Sequence, residues 1–557
     1  MNDVPSVLRK WSVIALVVLG LAAGIGLRDP SPPDEPRFVL AASHMVESGD
    51  WLVPRRGQEY YAEKPATFMW MQAAAFVLVR DWRIAFLLPS LIAGLATLAL
   101  VFDAGRRLWS PRVGWTAAGA LLTCLQFGLQ VKRGQIDMVL VGLTTLALWA
   151  FLRHLLERPD KRLLFLGAFA AGLGTVTKGV GFLPLLAFVP LAWLRYKRVP
   201  FHRPAVLPLV LGFVAGAAVW LGPVLGTLAV RRDPALQAYV GELLFRQTAQ
   251  RYANPWHHTQ PWWYYAQVVA TLWLPGALLL PWLVPAWARR IRRARAPVVL
   301  LVGWSILVLL FFSLSPGKRE VYVFPALPAL CLAAAPFLAA LLRRTVARRL
   351  LWGYLVALAI AATALALSGL TGASGWAHRL AAEREIDEAS LHAFLGWLCA
   401  FGVSAMVCAV CWRRRIGMAL IVTTCALWLT YGLGLAPTIE ASSSARQVMQ
   451  RVHARLPADA ELGLVAWREQ NLLQVVGRAT DFGFKQPWQA QWTRAQDWVA
   501  AAPARRWLFV LDAAMSPCVD RAQAIPIGRS NRRDWWLVPG RAIRRGCSTP
   551  PLEEVAE

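Results

Sequence analysis

Residues 288–313 read ARRIRRARAPVVLLVGWSILVLLFFS, and this stretch decides both the fold class and the orientation of the chain. The part from Pro297 to Ser313 carries no charge and is long enough to cross the hydrocarbon core of a bilayer as a helix. Arginines crowd the end that precedes it, and Lys and Arg beside a span favour the cytoplasm. The stretch therefore predicts a transmembrane helix that starts on the cytoplasmic side.

The same pattern recurs along the 557-residue chain, which is 57% hydrophobic and only 16% charged. A soluble domain averages ~25% charged residues, so the composition excludes a soluble enzyme and a disordered chain. Thirteen candidate spans lie near 11–27, 84–103, 113–131, 138–152, 163–177, 179–194, 206–229, 263–288, 297–313, 320–342, 350–370, 391–412 and 416–436. The fold class predicted is a polytopic α-helical membrane protein with about thirteen transmembrane helices.

The net charge of +27 is interpreted as a topology signal, and no nucleic-acid partner is expected. With thirteen spans, every basic cluster between spans falls on the cytoplasmic side together with the N-terminus. The apolar residues 67–79 are placed as a helix lying in the membrane interface, because an extra span there would invert the later clusters. We predict a multi-pass membrane protein whose C-terminal tail lies outside the cytoplasm.

The chain divides into a membrane domain, 1–436, with main outer loops 28–83 and 230–262, and a soluble tail, 437–557. In the tail, four segments of strand length alternate with polar stretches compatible with helices, which predicts an α/β domain outside the cytoplasm. The four segments are 461–467, 471–477, 506–514 and 535–540. An oxidising compartment permits a disulfide between Cys518 and Cys547; the alternative is two unpaired thiols.

The first outer loop contains DEPRFVLAASHMVESG at 34–49, which has the pattern of a helix start and stop. Asp34 is a candidate cap, Pro36 lies in the first turn, and Gly49 is a plausible end. Apolar residues recur at helical spacing between them, so we expect an amphipathic helix lying on the membrane. Asp34 and Arg37 either form a surface ion pair or belong to a functional site.

Several outer loops bring Lys or Arg to the face where the orientation rule does not expect them. Such donors at the edge of the bilayer suit a phosphate joined to a lipid tail. The candidate phosphate-binding residues are Arg37, Lys64, Lys178, Arg246, Arg251 and Lys318, with Tyr61 and Tyr322 as candidate donor or lipid contacts. No cofactor is required by this reasoning, but Glu63, His257 and His258 form a candidate site for a divalent metal such as zinc.

Five outer segments, in this order along the chain, resemble those of the bacterial lipid A aminoarabinose transferases (ArnT). They are DEPRFVLAASHMVESGDWLVPR with the following YYAEKP, then RGQIDM and TKG, and then SPGKREVYVFPALPAL. This family belongs to the GT-C glycosyltransferases, which include the protein O-mannosyltransferases. The resemblance covers most of the membrane part, and the tail is similar only in position and size.

The resemblance implies an enzyme of the bacterial inner membrane whose active site and C-terminal domain are periplasmic. It moves 4-amino-4-deoxy-L-arabinose from undecaprenyl phosphate to phosphates of lipid A, giving resistance to polymyxin and other cationic peptides. Asp34 and Asp137 match its acidic catalytic positions, and Lys64 matches a residue that holds the donor phosphate. The run Lys318–Tyr322 departs from the Lys-Leu-Pro-Thr-Tyr-like run of the family. The alternative is therefore a GT-C transferase that moves another polyprenyl-linked sugar to a lipid or protein hydroxyl.

Two other classes of protein fit less well. A transporter or flippase would carry ionisable residues deep within its spans and often an internal repeat, whereas here the charges gather at one face. A structural scaffold would have outer charges that only solvate its loops. The position of the tail suggests that it covers the outer opening or helps to place the acceptor.

Overall fold

The computed structural model describes residues 4–231, 233–243 and 259–552, and most of the described chain is helical. The apolar helices of the membrane part are Val4–Ala22, Leu88–Leu108, Pro111–Thr123, Leu125–Val131, Ile136–Leu156, Lys161–Lys178, Val189–Tyr196, Val206–Arg231, Tyr264–Leu272, Leu280–Arg292, Ala296–Leu314, Ala326–Leu341, Thr345–Leu370, Glu388–Cys411 and Ile416–Thr430. Short helices at Trp82–Ala85, Leu183–Phe188, Pro234–Gly241, Gly276–Leu279, Trp376–Arg384 and Ala436–Ser443 connect or extend them.

Each of the thirteen predicted spans coincides with a helix or a pair of helices. Among the described residues, however, seven helices are long and apolar enough to cross a membrane, or eight with the bent pair Tyr264–Leu272 and Gly276–Arg292. The other predicted spans are shorter helices, are broken, or carry more charge. Span 113–131 is interrupted at Cys124, whose backbone is extended, and the helix Lys161–Lys178 contains three basic residues. The predicted count of thirteen is not confirmed, whereas the polytopic helical fold is.

The helix predicted in the first loop is present as Glu35–Ser48 and ends at Gly49, which has φ 74°. The capping prediction is wrong, because the Asp34 side chain accepts no hydrogen bond from the first turn. One face of the helix packs against Phe68 in the helix Thr67–Val79, while Leu40 joins the core of the tail. Both contacts bury this loop helix against other parts of the protein, and its placement on the membrane stays a prediction.

The loop continues into a small hairpin of two antiparallel strands, β1 (Arg55–Arg56) and β2 (Glu59–Tyr60). The helix Thr67–Val79 follows, confirming a helix at 67–79. Thr67 at its start donates to the carbonyl of Val176 at 3.2 Å, which ties this end of the loop to the last turn of the helix Lys161–Lys178.

The tail is an α/β domain, as predicted. Its sheet has the order β4-β3-β5-β7-β6, in which β3 runs parallel to β4 and β5, and β7 runs antiparallel to β5 and β6. These strands are β3 (Glu461–Val465), β4 (Ala479–Asp481), β5 (Arg506–Leu511), β6 (Ile525–Ser530) and β7 (Arg533–Pro539), and the accompanying helices are Arg446–Arg455, Glu469–Leu473 and Trp488–Ala501. Cys518 and Cys547 form a disulfide with Cα atoms 5.7 Å apart, which confirms that pairing.

Three of the four predicted strand segments contain strands, but the segment 471–477 does not. Its first half is the end of the helix Glu469–Leu473, whose Leu473 packs beside Val39 and Phe86 of the membrane part. The apolar run in this segment therefore serves the joint between the two domains and not the sheet.

An apolar cavity of about 320 Å³ lies between the membrane helices. Its lining includes Trp115, Trp273, Cys331 and Leu420, and none of the predicted site residues. The polar site described next is therefore separate from this cavity.

Candidate active site

Asp34 lies directly before the loop helix and is the point where three cations converge. Its Oδ2 accepts hydrogen bonds from Gln135 Nε2 at 3.0 Å and from Arg319 Nη2 at 3.1 Å, and its Oδ1 is 3.8 Å from Arg37 Nη1. Burial alone would raise the pKa of this carboxyl, but Arg319, Arg37 and Lys178 outweigh burial and hold the pKa below its ordinary value. Asp34 is therefore ionised at neutral pH.

The neighbouring Glu35 has a different environment. Its carboxylate accepts two hydrogen bonds from Arg28, at 2.5 and 2.7 Å, and one each from the backbone N–H groups of Ser31 and Gly134, both at 2.9 Å. Four donors leave this buried group little capacity for a substrate, so Glu35 joins the loop to the turn before the helix Ile136–Leu156. Asp34, with fewer donors and a side chain 14% exposed, remains able to interact with a ligand.

Asp137 and Lys178, two residues predicted from separate motifs, form an ion pair. Asp137 lies in the first turn of the helix Ile136–Leu156, and Lys178 is the last residue of the helix Lys161–Lys178. The Lys178 ammonium is also 5.4 Å from the ring centroid of Tyr322. Electrostatic coupling of Arg319 to both Asp34 and Asp137 joins this pair to the first group.

A second set of charges connects the first loop to the tail. Arg56 Nη2 is 2.8 Å from Glu63 Oε1, and Arg56 Nη1 is 2.8 Å from Glu469 Oε1. Arg37 lies 3.7 Å from Glu63 and 3.6 Å from Glu469. Burial opposes ionisation of Glu63, but Arg56 and Arg37 lower the pKa of its carboxyl below the usual range.

Two of the remaining predicted cations lie among the described residues, and two lie outside them. Lys318 is buried and donates from Nζ to the carbonyl oxygen of Gln260 at 3.2 Å. Lys64 is half-buried in the turn that precedes the helix Thr67–Val79. Arg246 and Arg251 fall in the undescribed stretch 244–258.

The metal prediction stays a prediction. His257 and His258 lie outside the described residues, while the Glu63 carboxylate is bound by two guanidiniums. Among the described residues, no group of three or more His, Cys, Asp or Glu side chains is placed to hold a metal ion.

Tyr61 differs from the prediction of a lipid contact. Its side chain is 1% exposed and lies under Arg56, whose guanidinium carbon is 5.0 Å from the ring centroid, so the ring does not face the bilayer. Burial raises the pKa of its hydroxyl well above the ordinary value.

Sequence reasoning assigned no role to four residues that complete the site. They are Arg56, Gln135, Arg319 and Glu469. Gln135 and Arg319 lie inside the RGQIDM and SPGKREVY motifs, so both could have been found there. Glu469 has no such signal, because it meets Arg56 across 413 residues of chain.

Comparisons with known proteins agree on a glycosyltransferase family. The sequence model of the dolichyl-phosphate-mannose-protein mannosyltransferases matches residues 63–221, and that of the Alg9-like mannosyltransferase family matches residues 253–382. The crystal structure of ArnT from Cupriavidus metallidurans bound to undecaprenyl phosphate superposes with a TM-score of 0.71 at 20% identity, over 96% of this chain and 98% of that one. This likeness shows that the chain has the GT-C fold of that protein.

Two sequence relatives carry the same name. The undecaprenyl phosphate-alpha-4-amino-4-deoxy-L-arabinose arabinosyl transferase of Pseudomonas aeruginosa is 32% identical over 58% of this chain and 59% of its own length. Its counterpart from Sodalis glossinidius, transferase 2, is 30% identical over 74% of this chain and 75% of its own length. With that identity over most of both chains, with the GT-C fold, and with the paired carboxylates and cations of the outer motifs brought together, this chain belongs to the family of the undecaprenyl phosphate-aminoarabinose arabinosyl transferases.

Proposed function

We propose that this protein transfers 4-amino-4-deoxy-L-arabinose from undecaprenyl phosphate to phosphate groups of lipid A, on the periplasmic face of the bacterial inner membrane. Support for the donor comes from the names of the sequence relatives and from the undecaprenyl phosphate bound to the Cupriavidus metallidurans protein. Support for the side of the membrane comes from the arginine clusters, which lie at the opposite ends of the helices from the site.

The observation that carries the choice of acceptor is the lowered pKa of Asp34. A general base works best when its pKa lies near the working pH, whereas Arg319 and Arg37 hold the pKa of the buried Asp34 carboxyl below its ordinary value. Such a carboxylate is a poor base for a hydroxyl. An acceptor phosphate needs no base, because its oxygen is already ionised.

In the proposed reaction, an oxygen of the lipid A phosphate attacks the anomeric carbon of the donor sugar. The bond between that carbon and the donor phosphate oxygen breaks, its electron pair stays on undecaprenyl phosphate, and a single displacement inverts the anomeric centre. Asp34 stabilises positive charge that develops at the anomeric carbon or pairs with the ammonium group of the sugar. No proton has to leave the acceptor.

The departing phosphate requires cations, and the predicted ones come from separate elements. Lys64 comes from the first loop, Lys178 from the end of a membrane helix, and Lys318 from the loop that also carries Arg319. Preorganised donors of this kind contribute ~2.7–4 kcal/mol each to the transition state. Lys64 takes this role first, since it matches the phosphate-holding position of the family.

Reconstituted protein tests the proposal directly. It is placed in liposomes with undecaprenyl-phosphate aminoarabinose and one of three acceptors: lipid A, lipid A stripped of its phosphates, or a serine- and threonine-containing peptide. Pentosamine attached only to phosphorylated lipid A supports the proposal. Transfer to the dephosphorylated lipid or to the peptide would overturn the acceptor, and transfer only from a donor carrying another sugar would overturn the donor.

In cells, the proposed product would carry fewer net negative charges on lipid A. Cationic peptides such as polymyxin would then bind the outer surface less well, and expression of the protein would raise the polymyxin concentration that inhibits growth.

A further inference from the structure

A buried carboxylate of the tail domain reaches into the charge network of the first loop. Glu469 lies in the first turn of the short helix Glu469–Leu473, and its side chain is 7% exposed. Its Oε1 is 2.8 Å from Arg56 Nη1 and 3.6 Å from Arg37 Nε. One tail residue therefore contacts two arginines that belong to the membrane part.

Each of those arginines also holds a carboxylate of the first loop. Arg56 Nη2 is 2.8 Å from Glu63, and Arg37 Nη1 is 3.7 Å from Glu63 and 3.8 Å from Asp34. Along the chain of contacts from Asp34 to Glu63, negative and positive groups alternate, with Glu469 in the middle. Buried ions require this compensation, because an unpaired buried charge is strongly destabilising.

Cation–π and apolar contacts stabilise this arrangement. The Arg56 guanidinium lies between two rings, with its central carbon 4.0 Å from the centroid of Phe484 in the tail and 5.0 Å from that of Tyr61 in the loop. At the other end of the short helix, Leu473 packs beside Val39 of the loop helix. The tail and the loop therefore share one interface, and Glu469 is its charged centre.

From this geometry we infer that Glu469 is a positioning residue of the active site, which acts through Arg37 and Arg56 to set the place of Asp34 and Glu63. The inference rests on the proposed function for its catalytic consequence. Without this carboxylate, both arginines share Glu63, and Arg37 is free to move onto Asp34. A displacement of about 1 Å in a catalytic group can lower a rate about 100-fold.

The test uses the full-length protein with Glu469→Gln, which keeps the shape and removes the charge, and with Glu469→Asp. The matched control is Glu461→Gln. This tail carboxylate is half-exposed and pairs at 2.9 Å with Arg506, which is also a tail residue. Hydrogen–deuterium exchange of peptides from 34–66 reports the loop independently of any substrate. Steady-state transfer from undecaprenyl-phosphate aminoarabinose to lipid A gives kcat and the donor KM.

For Glu469→Gln we expect faster exchange in 34–66, unchanged exchange in strands β3 and β5, and a kcat lowered about 10- to 100-fold with the donor KM within two-fold. Glu469→Asp should recover part of kcat, and Glu461→Gln should match the wild type. Unchanged exchange in 34–66 would overturn the inference whichever sugar is moved. Faster exchange with a normal kcat, or a rise in KM alone, would overturn the positioning role.

The two proposals fail in different ways. If wild-type protein moves no aminoarabinose while Glu469→Gln still loosens 34–66, the proposed function is wrong and the positional link between tail and loop holds. If the wild type is active and Glu469→Gln equals it in both measurements, the proposed function holds and the role of Glu469 is wrong.

Discussion

Replacing Asp34 with asparagine removes one charge from the centre of the site while keeping the shape of the side chain. Asparagine can still accept the hydrogen bond from Gln135, but the charged contact with Arg319 at 3.1 Å and the attraction to Arg37 at 3.8 Å are lost. A carboxylate that stabilises developing charge contributes ~2.7–4 kcal/mol, so transfer should slow by about 10²- to 10³-fold. The free energy of unfolding should fall by only ~1.5–3 kcal/mol, the value of a hydrogen bond to a charged group.

The assay is single-turnover transfer from undecaprenyl-phosphate aminoarabinose to lipid A, followed by mass spectrometry at saturating donor. The control is Asp103→Asn, which breaks a carboxylate contact with Arg107 at 2.6 Å in a separate charge cluster and should leave the rate unchanged. An Asp34→Asn protein that inserts normally and transfers at the wild-type rate would contradict the role assigned to Asp34. So would a loss of activity matched by Asp103→Asn, since that would show a general effect of breaking ion pairs.

The pH dependence follows from the same carboxylate. Because the folded pKa of Asp34 lies below its unfolded value of about 4, its stabilising contribution is complete above that pH and is lost as the pH falls through the folded pKa. A general base would titrate at about pH 5 to 7, and the transfer rate would then fall as the pH is lowered through that range. We expect no such fall in rate from Asp34. A fall near pH 6 that disappears in Asp34→Asn would contradict the assigned role.

Three further predictions concern other parts of the structure. In a double-mutant cycle of Asp137→Asn and Lys178→Gln, each single change should lower the transfer rate at least about 10-fold. The double variant should be little slower than either single variant, because the partners act as one pair. Additive losses in kcat would contradict this. Gly57→Ala should undock the hairpin from the tail, because Gly57 has φ +62° and a Cβ there would lie 2.8 Å from Asp481 Oδ2. Limited proteolysis between β1 and β2 measures the loosening. A variant as resistant to the protease as the wild type would show that the tail tolerates the change. Cys518→Ser should lower the stability of the tail by ~3–4 kcal/mol, since the disulfide closes a separation of 29 residues. Wild type under reductant should match the variant, and a variant whose unfolding midpoint equals that of the oxidised wild type would argue against that contribution.

Features encoded by local pattern were predictable from the sequence. The loop helix begins at Glu35 with Pro36 in its first turn and stops at Gly49, because those signals act within a few residues. The thirteen predicted spans likewise coincide with helices. Their number as crossings was not predictable, because breaks such as the one at Cys124 shorten helices without changing the composition around them.

Features set by distant contacts were not predictable. The apolar run 471–477 looks like a strand, but Leu473 is used against Val39 and Phe86, and tertiary packing decided its conformation. Asp34 was singled out, while its partner Arg319 lies 285 residues away and was assigned no role. A single sequence indicates which charged residues have unusual positions, but it does not indicate which of them contact each other in the fold.

The most direct test of the central claim is the mass spectrum of lipid A from cells that make the aminoarabinose lipid donor but lack their own transferase. We expect lipid A to gain a pentosamine when this protein is expressed, and to gain none with Asp34→Asn protein present at the same level in the membrane. Unmodified lipid A in cells with abundant donor and correctly inserted wild-type protein would contradict it.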